Sequence, residues 1–243
     1  MSIKLDVLVF ASHPDDAELG VAGTICKLTA AGKQVGIVDL TRGELGSRGS
    51  AALRDQEAAE AGRRMGLRVR ENLAFRDGFF VQDEAHQLAI VRKVRQYRPD
   101  LVIANAPQDR HPDHGRGSKL VRDAVFLSGL RRIETTGADG LAQEAWRPAR
   151  TFFYIQDYHL TPSFVVDVTP YWAQKQEVIR AFGSQFFIPG QPGEEPQTYI
   201  SNEDFWHFLE ARARVLGHMI GATFGEGFIS EQPLAVGSPL DLL

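Results

Sequence analysis

LDVLVFASHPDDAELG, residues 5–20, decides how the rest of the chain is read. Its first seven residues are almost continuously apolar, which suits a strand covered on both faces, as in parallel sheets. His13, Asp15 and Asp16 follow at the carboxyl end of that strand, where open α/β sheets bind their ligands. LVIANAPQDRHPDH, residues 101–114, repeats the design: an apolar run leads into His111, Asp113 and His114. Imidazole and carboxylate at this density are what a catalytic zinc site needs. Such a site takes three protein ligands and leaves a position for water.

Outward from these stretches, strands and helices alternate. Helices are expected at 17–31, 51–65, about 88–97, 115–128 and 171–182, and strands at 35–40, 73–75, 150–156 and 164–168. That alternation means an α/β fold with a mostly parallel sheet and helices on both faces. No repeat or linker divides residues 1–243, so a single domain is expected. Residues 183–201, rich in glycine and proline, read as a long loop and a candidate lid. Phe205, Phe208, Leu209, Ala213, Leu216 and Ile220 form the apolar stripe of a last helix. Arg212 falls inside that stripe, so its head must snorkel to the edge or reach a buried partner. Residues 225–243 read as an irregular tail.

Composition narrows the class. Hydrophobic residues at 43% and charged residues at 24% are those of an ordinary globular protein. A net charge of −4 argues against nucleic-acid or anionic-membrane partners. The single cysteine, Cys26, cannot form an intrachain disulfide, which fits the cytoplasm. No signal peptide is recognisable, and no apolar run approaches the ~18 residues of a membrane span.

Either histidine block alone has a plain reading, since polar residues populate loops and aspartate caps helices. Two blocks at the ends of two parallel strands point to a metal site instead. His86, His159, His207 and His218 stand singly and read as surface or core residues. The segment TRGELGSRGS at 41–50 matches neither a dinucleotide loop nor a P-loop. Its glycines suit a close approach of chain near the site. Glu44 within it is a candidate substrate contact or a solvated carboxylate. Arg54 sits in the first turn of a helix, where the dipole disfavours a cation, and so reads as a candidate substrate group.

ASHPDDAELG at 11–20, TRGELGSRG at 41–49 and RHPDH at 110–114 together resemble the LmbE-like or PIG-L family of zinc-dependent deacetylases. Those enzymes remove the acetyl group from N-acetylglucosamine conjugates. SQFF at 184–187, EARAR at 210–214 and GEGF at 225–228 look like the branch that deacetylates N-acetylglucosaminyl malate in bacillithiol biosynthesis. The resemblance implies a Rossmann-like fold and one zinc per chain, with Fe2+ or another divalent metal as the alternative. It makes His13, Asp16 and His114 the ligands, Asp15 the general base and His111 the acid or electrophile, supported by Asp113. Arg54 and Arg110 match arginines near the sugar-conjugate site. Some members place a tyrosine near the oxyanion, and Tyr199 is the candidate here. A homo-oligomer is implied, with a hexamer as the form seen in several members.

Three other readings use the same residues. Two histidines and a carboxylate also describe non-haem iron(II) oxygenases, with Asp15 as ligand and Asp16 spare. A non-catalytic metal- or nucleotide-binding module is the second. A thiol-conjugate amidase, with the same chemistry on a larger amide, is the third.

Overall fold

An apolar run needs cover on both faces. The computed structural model, which describes residues 3–188 and 196–238, provides it. β1 (Val7–Ala11) is buried along its whole length in a seven-stranded sheet. β2 (Val35–Thr41) and β4 (Leu101–Asn105) flank it, both parallel to it. β3 (Val69–Phe75) extends the sheet beyond β2, and β5 (Arg150–Tyr154) extends it beyond β4, again in parallel. On the far edge β7 (Gly225–Ile229) lies antiparallel between β5 and β6 (Phe164–Asp167). The order is therefore β3-β2-β1-β4-β5-β7-β6.

Side chains alternate across a strand, and the two cores follow that alternation. Val7, Val9 and Ala11 face α1 (Asp16–Ala30), α2 (Ala51–Met65), α5 (Trp172–Ile179) and α6 (Glu203–His218). Leu8 and Phe10 face α3 (Glu84–Tyr97) and α4 (Pro112–Ser128). The chain leaves β1 toward β2 and β3, then returns to β4 on the other side. Strand order thus reverses at β1, and a crevice opens at the carboxyl ends of β1 and β4, the place where such sheets bind ligands.

Several boundaries differ from the sequence reading, each for a physical reason. The expected tail begins with β7, because glycines at 225 and 227 remove the alternation that marks a strand. β3 runs four residues earlier than its apolar end suggests. Its polar Arg70 is not solvated but bonds Asp39 on β2 and Glu18 on α1. A 3-10 turn at Thr169–Tyr171 precedes α5, which ends at Ile179. Ile220 lies beyond α6 and is exposed. Residues 183–188 and 196–201 hold neither helix nor strand. The rest of the candidate lid, 189–195, lies outside the described residues.

α1 carries an unusual inclusion. Lys175 Nζ on α5 donates to the Leu19 carbonyl at 2.8 Å and to Glu226 Oε1 on β7 at 2.6 Å. The Glu226 carboxylate accepts the Gly23 and Thr24 N–H groups at 2.9 and 2.7 Å. Gly23 N–H and the Leu19 carbonyl, an i→i−4 pair of the helix, are thus both contacted by one buried ion pair. Arg212 reaches the same carbonyl at 3.5 Å, so the buried-partner alternative describes it.

Candidate metal centre

The two histidine blocks meet because polar side chains tie the strand ends together. Asn105 Oδ1, closing β4, accepts Ser12 N–H at 2.9 Å and Ser12 Oγ–H at 3.0 Å. Thr41, closing β2, donates its hydroxyl to the Ser12 carbonyl at 2.9 Å. Ser12 Oγ shares its one proton between Asn105 Oδ1 and the Asp113 carbonyl, 2.9 Å away, which seats the first turn of α4 on the end of β1.

Asp16 lies between two imidazoles. Its Oδ2 is 3.4 Å from His13 Nδ1 and its Oδ1 is 3.1 Å from His114 Nε2. Gln156 donates to Oδ1 at 2.7 Å, while Asn105 and the His13 N–H donate to Oδ2 at 3.1 and 2.9 Å. The outer nitrogen of His13, Nε2, meets Asp77 Oδ1 at 3.0 Å and Asp113 Oδ2 at 3.4 Å. The outer nitrogen of His114, Nδ1, meets Asp109 Oδ2 at 2.7 Å. Ring nitrogens of His13, His111 and His114 fall within 4.8 Å of one another, and so do ligand atoms of His13, Asp77 and Asp113.

The electrostatics ask for a cation. Burial works against an imidazolium at His13, yet bonds with Asp113, Asp16 and Asp77 hold its pKa well above the ordinary value. Burial likewise opposes charge on His114, but Asp16 and Asp109 lift it to about 9. Asp16 is pushed up by burial and pulled further down by His114 and His13, ending well below the usual range. Two inward-facing nitrogens, one ionised carboxylate and backing carboxylates on both rings fit a divalent metal. Asp16, in contact with both His13 and His114, supplies the carboxylate that the three-histidine cluster lacks, and this set suits a metal better than the one with Asp77 and Asp113. Asp77 and Asp113 are placed to accept the His13 Nε2–H.

Asp15 is set apart from its neighbour by the backbone. It stands at the N-cap position of α1 with φ 114°, and its side chain makes no capping bond. The plain reading of this aspartate as a helix cap therefore fails. Its carboxylate turns to Arg54 Nη2 at 2.8 Å, both groups being nearly sealed from solvent. Burial pushes the Asp15 carboxyl up to about 7, with Arg54 opposing. Arg54 reaches it past Gly43, where a Cβ would fall 1.6 Å from Nη1. That is the close approach the glycine-rich segment provides.

His111 caps α4: its Nδ1 accepts the Asp113 N–H at 3.2 Å. Burial, followed by His13 and His114, lowers its pKa. A neutral ring with Nδ1 as acceptor carries its proton on Nε2. Support from Asp113 comes from its main chain. The Asp113 carboxylate also binds Arg116 and the Gly78 N–H and faces His13.

His13, Asp15, Asp16, Arg54, Arg110, His111, His114 and Tyr199 line one cleft of about 380 Å3. Arg110 lies over the Tyr199 ring at 4.2 Å and is 3.6 Å from Asp157. Glu44 is not in the lining. It accepts the Asp77 N–H at 2.8 Å and so braces that loop from an exposed position. Sequence reasoning missed Asp77, Asn105, Asp109 and Gln156. Asn105 and Gln156 do carry a signal: each is the polar residue that ends a buried run at the carboxyl edge of the sheet. The oxygenase alternative required Asp15 as ligand, whereas Asp16 is the carboxylate between the imidazoles.

Residues 8–125 match the profile of the PIG-L family, described as GlcNAc-PI de-N-acetylase. The chain belongs to this family. Among PIG-L relatives, the diacetylchitobiose deacetylase of Thermococcus kodakarensis is 27% identical over 235 residues, covering 91% of this chain and 81% of that protein. The 1D-myo-inositol 2-acetamido-2-deoxy-alpha-D-glucopyranoside deacetylase of Actinosynnema mirum is 29% identical, with coverage of 75% and 81%. A conserved protein of Thermus thermophilus superposes with a TM-score of 0.84 at 36% identity, over 97% of this chain and 98% of the other. The N,N'-diacetylchitobiose deacetylase of Pyrococcus horikoshii gives 0.78 at 29% identity, over 98% and 88%.

Proposed function

We propose that this PIG-L chain is a zinc-dependent hydrolase that removes the N-acetyl group from an N-acetylglucosamine conjugate. The observation that carries the reading is the division of labour between adjacent aspartates. Asp16 lies between the His13 and His114 rings, while Asp15 faces Arg54 with a carboxyl lifted to about 7.

His13, Asp16 and His114 would hold the metal. When bound, such an ion polarises the amide carbonyl and lowers the pKa of water toward ~7. Asp15 then accepts the proton of the attacking water, a role favoured by a pKa near the working pH. Arg54 keeps that carboxylate aimed and ionised until the proton arrives. The protonated Nε2 of His111, which lines the cleft, donates to the oxygen that gains charge as the carbonyl becomes tetrahedral. When the C–N bond breaks, the departing amine needs a proton, and Asp15 can return the one it took. Acetate and a free glucosamine conjugate leave.

The conjugate we favour is N-acetylglucosaminyl malate. Arg110 stands exposed at the mouth of the cleft, where a guanidinium can grip a carboxylate in a fork. A thiol-conjugate amidase is the nearest alternative. Incubation of the zinc-loaded protein with N-acetylglucosaminyl malate, diacetylchitobiose and the inositol conjugate, with acetate and free amine measured, decides among them. Release of acetate from none of the three would sink the reading. Preference for either of the last two would leave the chemistry standing and remove malate.

A further inference from the structure

Asp109 precedes the second histidine block and backs the His114 ring from outside the cleft's reacting groups. Its carboxylate is 1% exposed and contacts three nitrogens. Oδ2 meets His114 Nδ1 at 2.7 Å. Oδ1 accepts the Arg110 N–H at 2.9 Å and the Tyr158 N–H at 2.9 Å. An ionised carboxylate only accepts. A neutral His114 beside it must therefore carry its proton on Nδ1, leaving Nε2 bare, and Nε2 is the atom that faces Asp16. A nitrogen that binds metal must be unprotonated.

We propose that Asp109 is a positioning residue that fixes the His114 tautomer for metal binding and locks that ligand to the wall of the substrate cleft. The lock runs through its second oxygen. Arg110 lines the cleft, and Asp157, the neighbour of Tyr158, is 3.6 Å from the Arg110 guanidinium. One carboxylate thus joins the ligand shell to the mouth. The inference rests on His114 being a metal ligand through Nε2.

Asp109→Asn tests it sharply. The amide matches the carboxylate in size and can still satisfy all three nitrogens, but in one way only. Its oxygen must take the Arg110 and Tyr158 N–H groups, so its NH2 must donate to His114 Nδ1. That forces the ring proton onto Nε2, toward the metal. The expected result is zinc affinity weakened about 10–100-fold by chelator competition, with thermal unfolding of the metal-free protein close to wild type. Nitrogen-15 spectra should show the His114 ring proton on Nδ1 in the zinc-loaded wild type and on Nε2 in the metal-free variant.

Wild-type zinc affinity in Asp109→Asn, or a ring proton on Nε2 in the loaded wild type, would overturn the inference. The second measurement tests His114 as a ligand through Nε2; if Asp109→Asn does not fold, Asp109→Ser also takes the fixed acceptor from His114 Nδ1, and wild-type zinc affinity there would overturn the inference. His114→Ala separates the two levels. Unchanged zinc affinity there removes the metal reading itself, whereas lost affinity there beside wild-type affinity in Asp109→Asn removes only the role of Asp109.

Discussion

At Asp15 the chain accepts a backbone conformation that side chains other than glycine rarely adopt. Such residues cost of order 1–3 kcal/mol and persist where the surroundings hold them. Here the holder is Arg54. Asp15→Asn should retain most of the metal and lose turnover by ~10²–10⁴-fold, since an amide cannot take the proton of water. Near-normal kcat at saturating zinc would require another base. Arg54→Met removes the cation that pulls the Asp15 carboxyl down. Because the ionised form is the active one, rate falls as pH drops through that pKa. The acid limb of kcat/KM should therefore move to higher pH in the variant, and an unmoved limb would show that Arg54 does not tune the base. This pairing also changes what is expected of substrate. Arg54→Met should slow every conjugate alike, while Arg110→Ala should hurt the malate conjugate most, as steady-state rates on malate and chitobiose substrates would show. The sequence placed both aspartates at a strand end. It could not separate their roles, because the separation comes from one backbone torsion and a contact 39 residues away.

Among the described elements, α1 has its middle held by distant chain. Its middle is served by Lys175 from α5 and Glu226 from β7. Lys175→Met leaves Glu226 as an uncompensated buried charge, and breaking such a pair costs roughly 3–5 kcal/mol. Arg214, on the outer face of α6, pairs with Glu210 in solvent, and Arg214→Met should change stability by at most ~1 kcal/mol. Urea unfolding of the two variants side by side checks this, and equal midpoints would mean that the buried pair contributes nothing. Periodicity made α2 legible to the residue and the last helix nearly so, since both carry one apolar face. It failed for β3 and β7, where Arg70 and Glu226 are buried by pairing. A pattern of hydrophobicity has no symbol for a charge that is inside because its partner is.

Across the whole molecule, the metal should act as a structural ligand too. Carboxylates of Asp16, Asp77, Asp109 and Asp113 surround the His13 and His114 rings, and a cation that binds only the folded state stabilises it. At a hundred times Kd the gain is ~2.7 kcal/mol. For a chain of this size that corresponds to a rise in Tm of about 5–10 °C. Calorimetry with and without chelator measures it, and coincident transitions would mean that the centre is not a metal site. That both histidine blocks close buried strands was legible from two apolar runs followed by histidines, whereas the strand order that brings them together was not. The edge of the sheet beyond β5 was not, since nothing local announces which strands a late glycine-rich segment will join. The placement of groups along the chain has a further use. Every candidate ligand, acid and base lies between His13 and His114, whereas Gln185, Thr198, Tyr199 and Ile200 contribute cleft wall from the second half. Chimaeras joined near residue 129 should therefore keep one reaction and the Arg110 grip from the first half, while exchanging what the wall of Gln185, Thr198, Tyr199 and Ile200 adds to substrate preference. The inclusion in α1 sets the rule of compatibility: a donor second half must bring its own Lys175 and Glu226 equivalents, or the recombinant will lose the buried contacts to Leu19, Gly23 and Thr24 beneath its catalytic residues.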